Sequence, residues 1–108
     1  MVFKIPKRLI MEKILCAAIW YKEDDKVYVH QPKNINYGYV WCGRRHHNII
    51  NLRYSLLNEP TRSDTSVQGF LTNQDRFVDR VEANKIAIEA DQVYGNKIGD
   101  ELISEDLY

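Results

Sequence analysis

The chain has 108 residues, 44% hydrophobic and 28% charged, with five glycines and three prolines, a length for one domain and a composition that excludes wholesale disorder. Fifteen basic residues balance fifteen acidic ones. That balance argues against a long duplex nucleic acid as the main partner, because phosphate contacts demand a basic excess.

In chain order, residues 1–10 (MVFKIPKRLI) form a basic segment ahead of a second methionine, Met11. Pro6 discourages a continuous helix there, and the segment lacks the apolar stretch and cleavage site of a secretory leader. It is expected to be a flexible or artefactual extension, with residues 11–108 as a single domain. No apolar run approaches the ~18 residues of a membrane helix, so a cytoplasmic location is expected. Residues 13–21 (KILCAAIWY) are a strand-length apolar run. Charged residues 22–25 break it, and residues 26–30 (KVYVH) alternate, predicting a β-hairpin. Residues 32–36 read as a loop, and residues 38–43 (GYVWCG) as a third strand. Cys16 and Cys42 fall in these strand-like runs and are expected to be buried free thiols.

Residues 46–57 predict a helix whose apolar face is carried by Ile49, Leu52 and Leu56. A loop over 58–66 precedes a short strand over 67–72. Asp79 and Glu82 have capping-box spacing and predict a helix running to Val93, stopped by Gly95. The acidic tail, residues 99–108, is expected to dock through Ile103, Leu107 and Tyr108. The fold class expected is α+β, a small antiparallel sheet of N-terminal strands packed with two helices.

Two stretches carry chemistry. In Gly43-Arg44-Arg45-His46-His47-Asn48, a bend is followed by two guanidiniums and two imidazoles at a helix start. Arginine forks suit phosphate oxygens, and a helix N-terminus adds N–H donors and a favourable dipole. The plainer alternative is a charged surface corner. The second stretch runs from Phe70 and Thr72 to Arg76, Phe77, Asp79 and Arg80. Aromatic faces stack on bases and arginine pairs with phosphate; alternatively, Phe70 and Phe77 are core anchors. Arg76 and Arg80 bracket the positive end of a helix, which favours an anion between them. Adjacent His46 and His47 point about 100° apart on a helix, so no metal site is expected, and no motif implies a cofactor. No nucleophile elbow, phosphate loop or zinc set is present, and the chain is read as non-enzymatic.

Taken together, VYVHQPKNI (27–35), GYVWCGRRHHNII (38–50), QGFLT (68–72), DRFVDRVEA (75–83) and the terminal SEDLY resemble the Thoeris anti-defence family of phage proteins. These are sponges that bind glycocyclic ADP-ribose signals made by bacterial TIR proteins. The resemblance covers residues 12–108, and the segment from Tyr94 departs from the pattern. It implies dimers that build a hexamer, pockets at the dimer interface, and a signal held intact. Some members also hold cyclic oligonucleotides in separate pockets. The function expected is sequestration of a cyclic ADP-ribose-type nucleotide, with ligand contacts from Arg44, Arg45, His46, His47, Phe70, Thr72, Arg76, Phe77, Asp79 and Arg80. Two rivals remain: a hydrolase of such a signal using His46 or His47, and an inhibitor that docks directly on a defence effector.

Overall fold

The computed structural model describes residues 11–95, 97 and 99–108; the extension expected over residues 1–10 lies outside the described residues. Four strands form one antiparallel sheet: β1 (Ile14–Tyr21), β2 (Tyr39–Gly43), β3 (Ser66–Thr72) and β4 (Phe77–Asp79), in the order β2-β1-β3-β4. With helices α1 (His46–Leu57) and α2 (Arg80–Glu89), this is the α+β fold expected. β1 holds an interior position because its eight residues carry no charge and can be covered on both faces.

Side chains alternate between the faces of a strand. Ala17, Ile19, Tyr21, Tyr39, Trp41, Phe70 and Val78 share the face toward the helices, where the core gathers Ile49, Ala83, Ala87 and Leu102. Between Ile14 and Cys16 the register slips by one residue, a bulge whose backbone is satisfied by Gln92. The Gln92 side-chain amide donates to the Ile14 carbonyl and accepts from the Ile14 N–H, each at 2.8 Å.

The hairpin expected over residues 26–30 does not form. Val27 makes only an isolated bridge with Gly38, and Val27 and Val29 are 80% and 79% exposed. The cause is local: the Asp24 carboxylate accepts from the Lys26 N–H at 3.0 Å and from the Tyr28 hydroxyl at 2.8 Å. Such a side-chain turn competes with strand pairing and bends the chain out of the sheet. The residues that follow cross the face opposite the helices. The Trp20 indole donates to the Tyr37 carbonyl at 2.9 Å, and the Trp20 ring meets Phe77 edge-on at 6.2 Å. Val40 on β2 donates to the Gln31 side chain at 2.8 Å. On β4, Phe77 exchanges two hydrogen bonds with the Asn34 amide, at 2.7 and 2.8 Å.

Helix α1 spans the predicted residues with a different inward face. His46, Ile49 and Arg53 are buried, while Leu52 and Leu56 are 52% and 66% exposed. Arg53 takes the inward position because its charge is matched there. It donates to Glu23, to Glu59 at 3.1 Å and to the Tyr39 hydroxyl at 2.9 Å, with its guanidinium 4.0 Å from the Tyr21 ring centroid.

Helix α2 starts where expected, the Asp79 side chain accepting from the Glu82 N–H at 2.8 Å. The Glu82 carboxylate turns away to Arg76. The helix ends at Glu89, short of Val93. Asp91 enters the left-handed region (φ 56°), which lets the chain turn back before Gly95 is reached. In the tail, Leu102 is the fully buried anchor and Leu107 packs at the core margin, whereas Ile103 stays exposed. Alternation along the strands puts Cys42 on the face away from the helices, where it is exposed, and Cys16 is half-buried. Neither is the buried thiol expected. No helix among the described residues is long and apolar enough to cross a membrane.

Candidate functional site

The turn from β2 into α1 brings donors together. Arg45 is the N-cap residue of α1, in extended conformation (φ −130°, ψ 153°), with no side chain capping the helix and no acidic residue in its first turn. The positive end of the helix is therefore left without a carboxylate of its own. His46, the first helical residue, is buried and holds α1 against the sheet. Its Nε2 donates to the Gly69 carbonyl at 2.7 Å, and its ring meets Phe70 edge-on at 5.1 Å. With Nε2 protonated, Nδ1 is free to accept from the Arg80 guanidinium at 3.5 Å. Burial pushes the His46 imidazole below its usual range, opposed by the bond to Gly69, and the neutral ring is the form that fits both partners.

Arg80 joins four elements. It donates to the Leu102 carbonyl at 2.9 Å and to the Gln68 side chain at 2.6 Å, and its main-chain oxygen accepts from the Leu102 N–H at 2.9 Å. On the other flank, the Tyr108 ring lies 4.9 Å from the Arg45 guanidinium and 5.5 Å from that of Arg44. The Tyr108 hydroxyl donates to the Arg44 carbonyl, and Arg45 donates to the main-chain oxygen of Tyr108. One Arg45 nitrogen, Nη1, is buried without a hydrogen-bond partner. The largely exposed Glu105 carboxylate is 4.0 Å away. The outcome is a corner where Arg44, Arg45 and Arg80 meet the start of α1, with Glu105 at the Arg45 rim and Glu101 and Glu105 both acting on Arg80. His47 lies exposed on the same first turn.

The second stretch divides. Arg76 does not join the corner: it clamps Glu12 through Nε and Nη2, each at 2.8 Å, and reaches Glu82 at 2.8 Å. Thr72 donates to the same Glu12 carboxylate at 2.7 Å. This hydrogen bonding holds the Glu12 carboxyl below its usual range and the Arg76 guanidinium above its own. Thr72 sits four residues along β3 from Gln68, roughly 13 Å at strand rise, so the two clusters occupy separate ends. Asp79 is engaged as the cap of α2. Phe70 is fully buried beneath His46 and Phe77 is nearly buried.

Gly69 makes this packing possible. A Cβ there would stand 2.1 Å from the Val78 carbonyl oxygen and 2.8 Å from the Phe77 ring. Sequence reading missed Tyr108 as the aromatic of the corner, because only the folded tail carries it to Arg44. It also missed Gln68, a polar residue on a short strand with no motif to mark it. Among the described residues, no group of three or more His, Cys, Asp or Glu is placed to hold a metal ion.

Compared with known proteins, residues 13–108 match the family described as phage T4 y16D protein. No curated protein and no solved structure matches the chain.

Proposed function

We propose that this chain, which belongs to the phage T4 y16D protein family, is an anti-defence sponge acting in the host cytoplasm. It captures a cyclic ADP-ribose-type nucleotide, holds it uncleaved, and so blunts Thoeris immune signalling. The observation that carries the reading is the meeting of three guanidiniums, Arg44, Arg45 and Arg80, at an uncapped helix start whose nearby acids, Glu101 and Glu105, are fewer than the cations. A pyrophosphate is the complement of that arrangement. Guanidinium forks take its oxygens in pairs, and the helix N–H groups and dipole add to them. Arg45 keeps a buried donor nitrogen without a partner, and Tyr108 supplies an aromatic ring against the same guanidiniums. A pocket for two riboses and a base needs several hundred Å³. Two copies meeting about a two-fold axis would share its walls, and the hexamer is built from such dimers.

His46 supports capture over cleavage. Both of its ring nitrogens are occupied, by Gly69 and Arg80, and a general acid or base needs a nitrogen free to reach the substrate. The test is retention and release. Purified protein is mixed with glycocyclic ADP-ribose, desalted and heated, and the released small molecule is weighed by mass spectrometry. Intact nucleotide is the expected result. Fragments would convert the protein into a hydrolase, and a desalted protein carrying nothing would remove the reading.

A further inference from the structure

We propose that Cys16 and Cys42 are a modification site, a cross-strand dithiol that hydrogen peroxide or an organic hydroperoxide converts into a reversible intramolecular disulfide. The register of the sheet brings the two together. β1 and β2 are antiparallel neighbours with Ala18 opposite Cys42, so Cys16 lies on the diagonal, two residues along β1. Both side chains point to the face away from the helices, since the residue between Cys16 and Ala18, Ala17, points into the core. Diagonal neighbours in a sheet stand farther apart than direct partners, yet each of these thiols lies within the hydrogen-bonding influence of the other. The bulge just before Cys16 adds local twist, which closes one diagonal. Bond formation needs the two side chains to rotate until the sulfurs meet.

The site is open to a small oxidant. The segment that crosses this face covers the Trp20 and Phe77 end, and Cys42 is exposed on the outer strand β2 with Cys16 half-buried beside it. The two thiols are also unequal. Cys16 is lowered to about 7 by the hydrogen bond from Cys42, against the effect of burial, while that bond and burial push Cys42 up. Cys16 is thus the attacking thiolate, and Cys42 the resolving thiol. In the first step the Cys16 thiolate displaces hydroxide from hydrogen peroxide, giving a sulfenic acid, and the hydroxide takes up a proton to leave as water. In the second, the Cys42 sulfur attacks the Cys16 sulfur, and the sulfenic hydroxyl leaves with the Cys42 proton as a second water. Two thiols are oxidised, one peroxide is reduced, and the new bond ties β2 to β1 two residues before Arg44.

The experiment uses the full chain, treated with hydrogen peroxide, denatured and capped with N-ethylmaleimide before mass analysis. The wild type should lose the mass of two hydrogens, take no maleimide, and give one peptide pair joining Cys16 to Cys42 after non-reducing digestion. Dithiothreitol should restore two alkylatable thiols. In Cys42→Ser, Cys16 should be trapped by dimedone as the sulfenic acid and then proceed to the sulfinic acid. Full alkylation of both cysteines after peroxide, a linkage between two chains, or equal sulfinic acid formation in wild type and Cys42→Ser would overturn the proposal.

Discussion

Replacing Arg53 with alanine tests the account of the core most directly. The side chain is 0% exposed, spans Tyr21 and Tyr39, and neutralises Glu23 and Glu59. Burial alone would push its guanidinium down, but the hydrogen bond to Tyr39 and the Glu23 charge hold it above its usual value, so it stays charged. Breaking a buried pair from one side costs roughly 3–5 kcal/mol when the partner is left in the interior. Here the stranded carboxylates are 27% and 58% exposed and can rehydrate, which lowers that part of the loss. The vacated space beside two aromatic rings adds a cavity contribution. We expect a total of about 3 kcal/mol, a large share of the stability of a small domain, and a fall in Tm of roughly 15 °C. Urea titration followed by Trp20 and Trp41 fluorescence measures it. Arg53→Met, which keeps the stem over Tyr21, should lose about half as much. A loss below about 1 kcal/mol in Arg53→Ala would refute the claim that this cation organises the face between α1 and β1.

Three further outcomes are expected. Gly69→Ala should destabilise by about 3 kcal/mol, since a Cβ meets backbone on β4 that cannot move aside cheaply; chemical denaturation at the wild-type level would contradict this. Acid should weaken the fold in two windows. The folded pKa of His46 is depressed, so the unfolded chain binds the proton first; its contribution is present above about pH 6.5 and lost below. Glu12, depressed by its hydrogen bond to Arg76, gives a second loss below about pH 4.5. Tm measured against pH should flatten just below about 6.5 in His46→Gln and below about 4.5 in Glu12→Gln, and unchanged profiles would sink the assignment. Finally, Arg44→Ala should weaken nucleotide binding in calorimetry by about tenfold or more, as loss of a charged hydrogen bond does. Arg76→Ala, at the far end of β3, should leave it unchanged; the reverse order would move the site to the Glu12 cluster.

Much of the fold was legible because its signals were local. The apolar run of β1, the aromatic-rich β2 and the Asp79 cap each depend on neighbours in the chain, and each appears where expected. The misreadings have two origins, a local side-chain turn and contacts made across the chain. Residues 26–30 alternate like a strand, but Asp24 captures their polar groups and β2 occupies the place beside β1. Leu52 and Leu56 match a helical stripe, but Arg53 is the residue with partners waiting on β2 and just after β1. In the candidate site, the Arg44 and Arg45 turn was readable from residue types alone. That Arg80 joins it while Arg76 turns to Glu12 was not, since the two differ only in which end of β3 each one reaches.

The crossing of residues 31–34 beneath the sheet limits how copies of this chain can come together. Gln31 takes up the outward N–H of Val40 on one border, and Asn34 occupies both polar groups of Phe77 on the other. A strand arriving from a neighbour would have to evict a side-chain amide at either border before it could begin to pair. Growth of a continuous sheet from one copy to the next is thereby discouraged, which leaves helices and loops as the surfaces not blocked in this way.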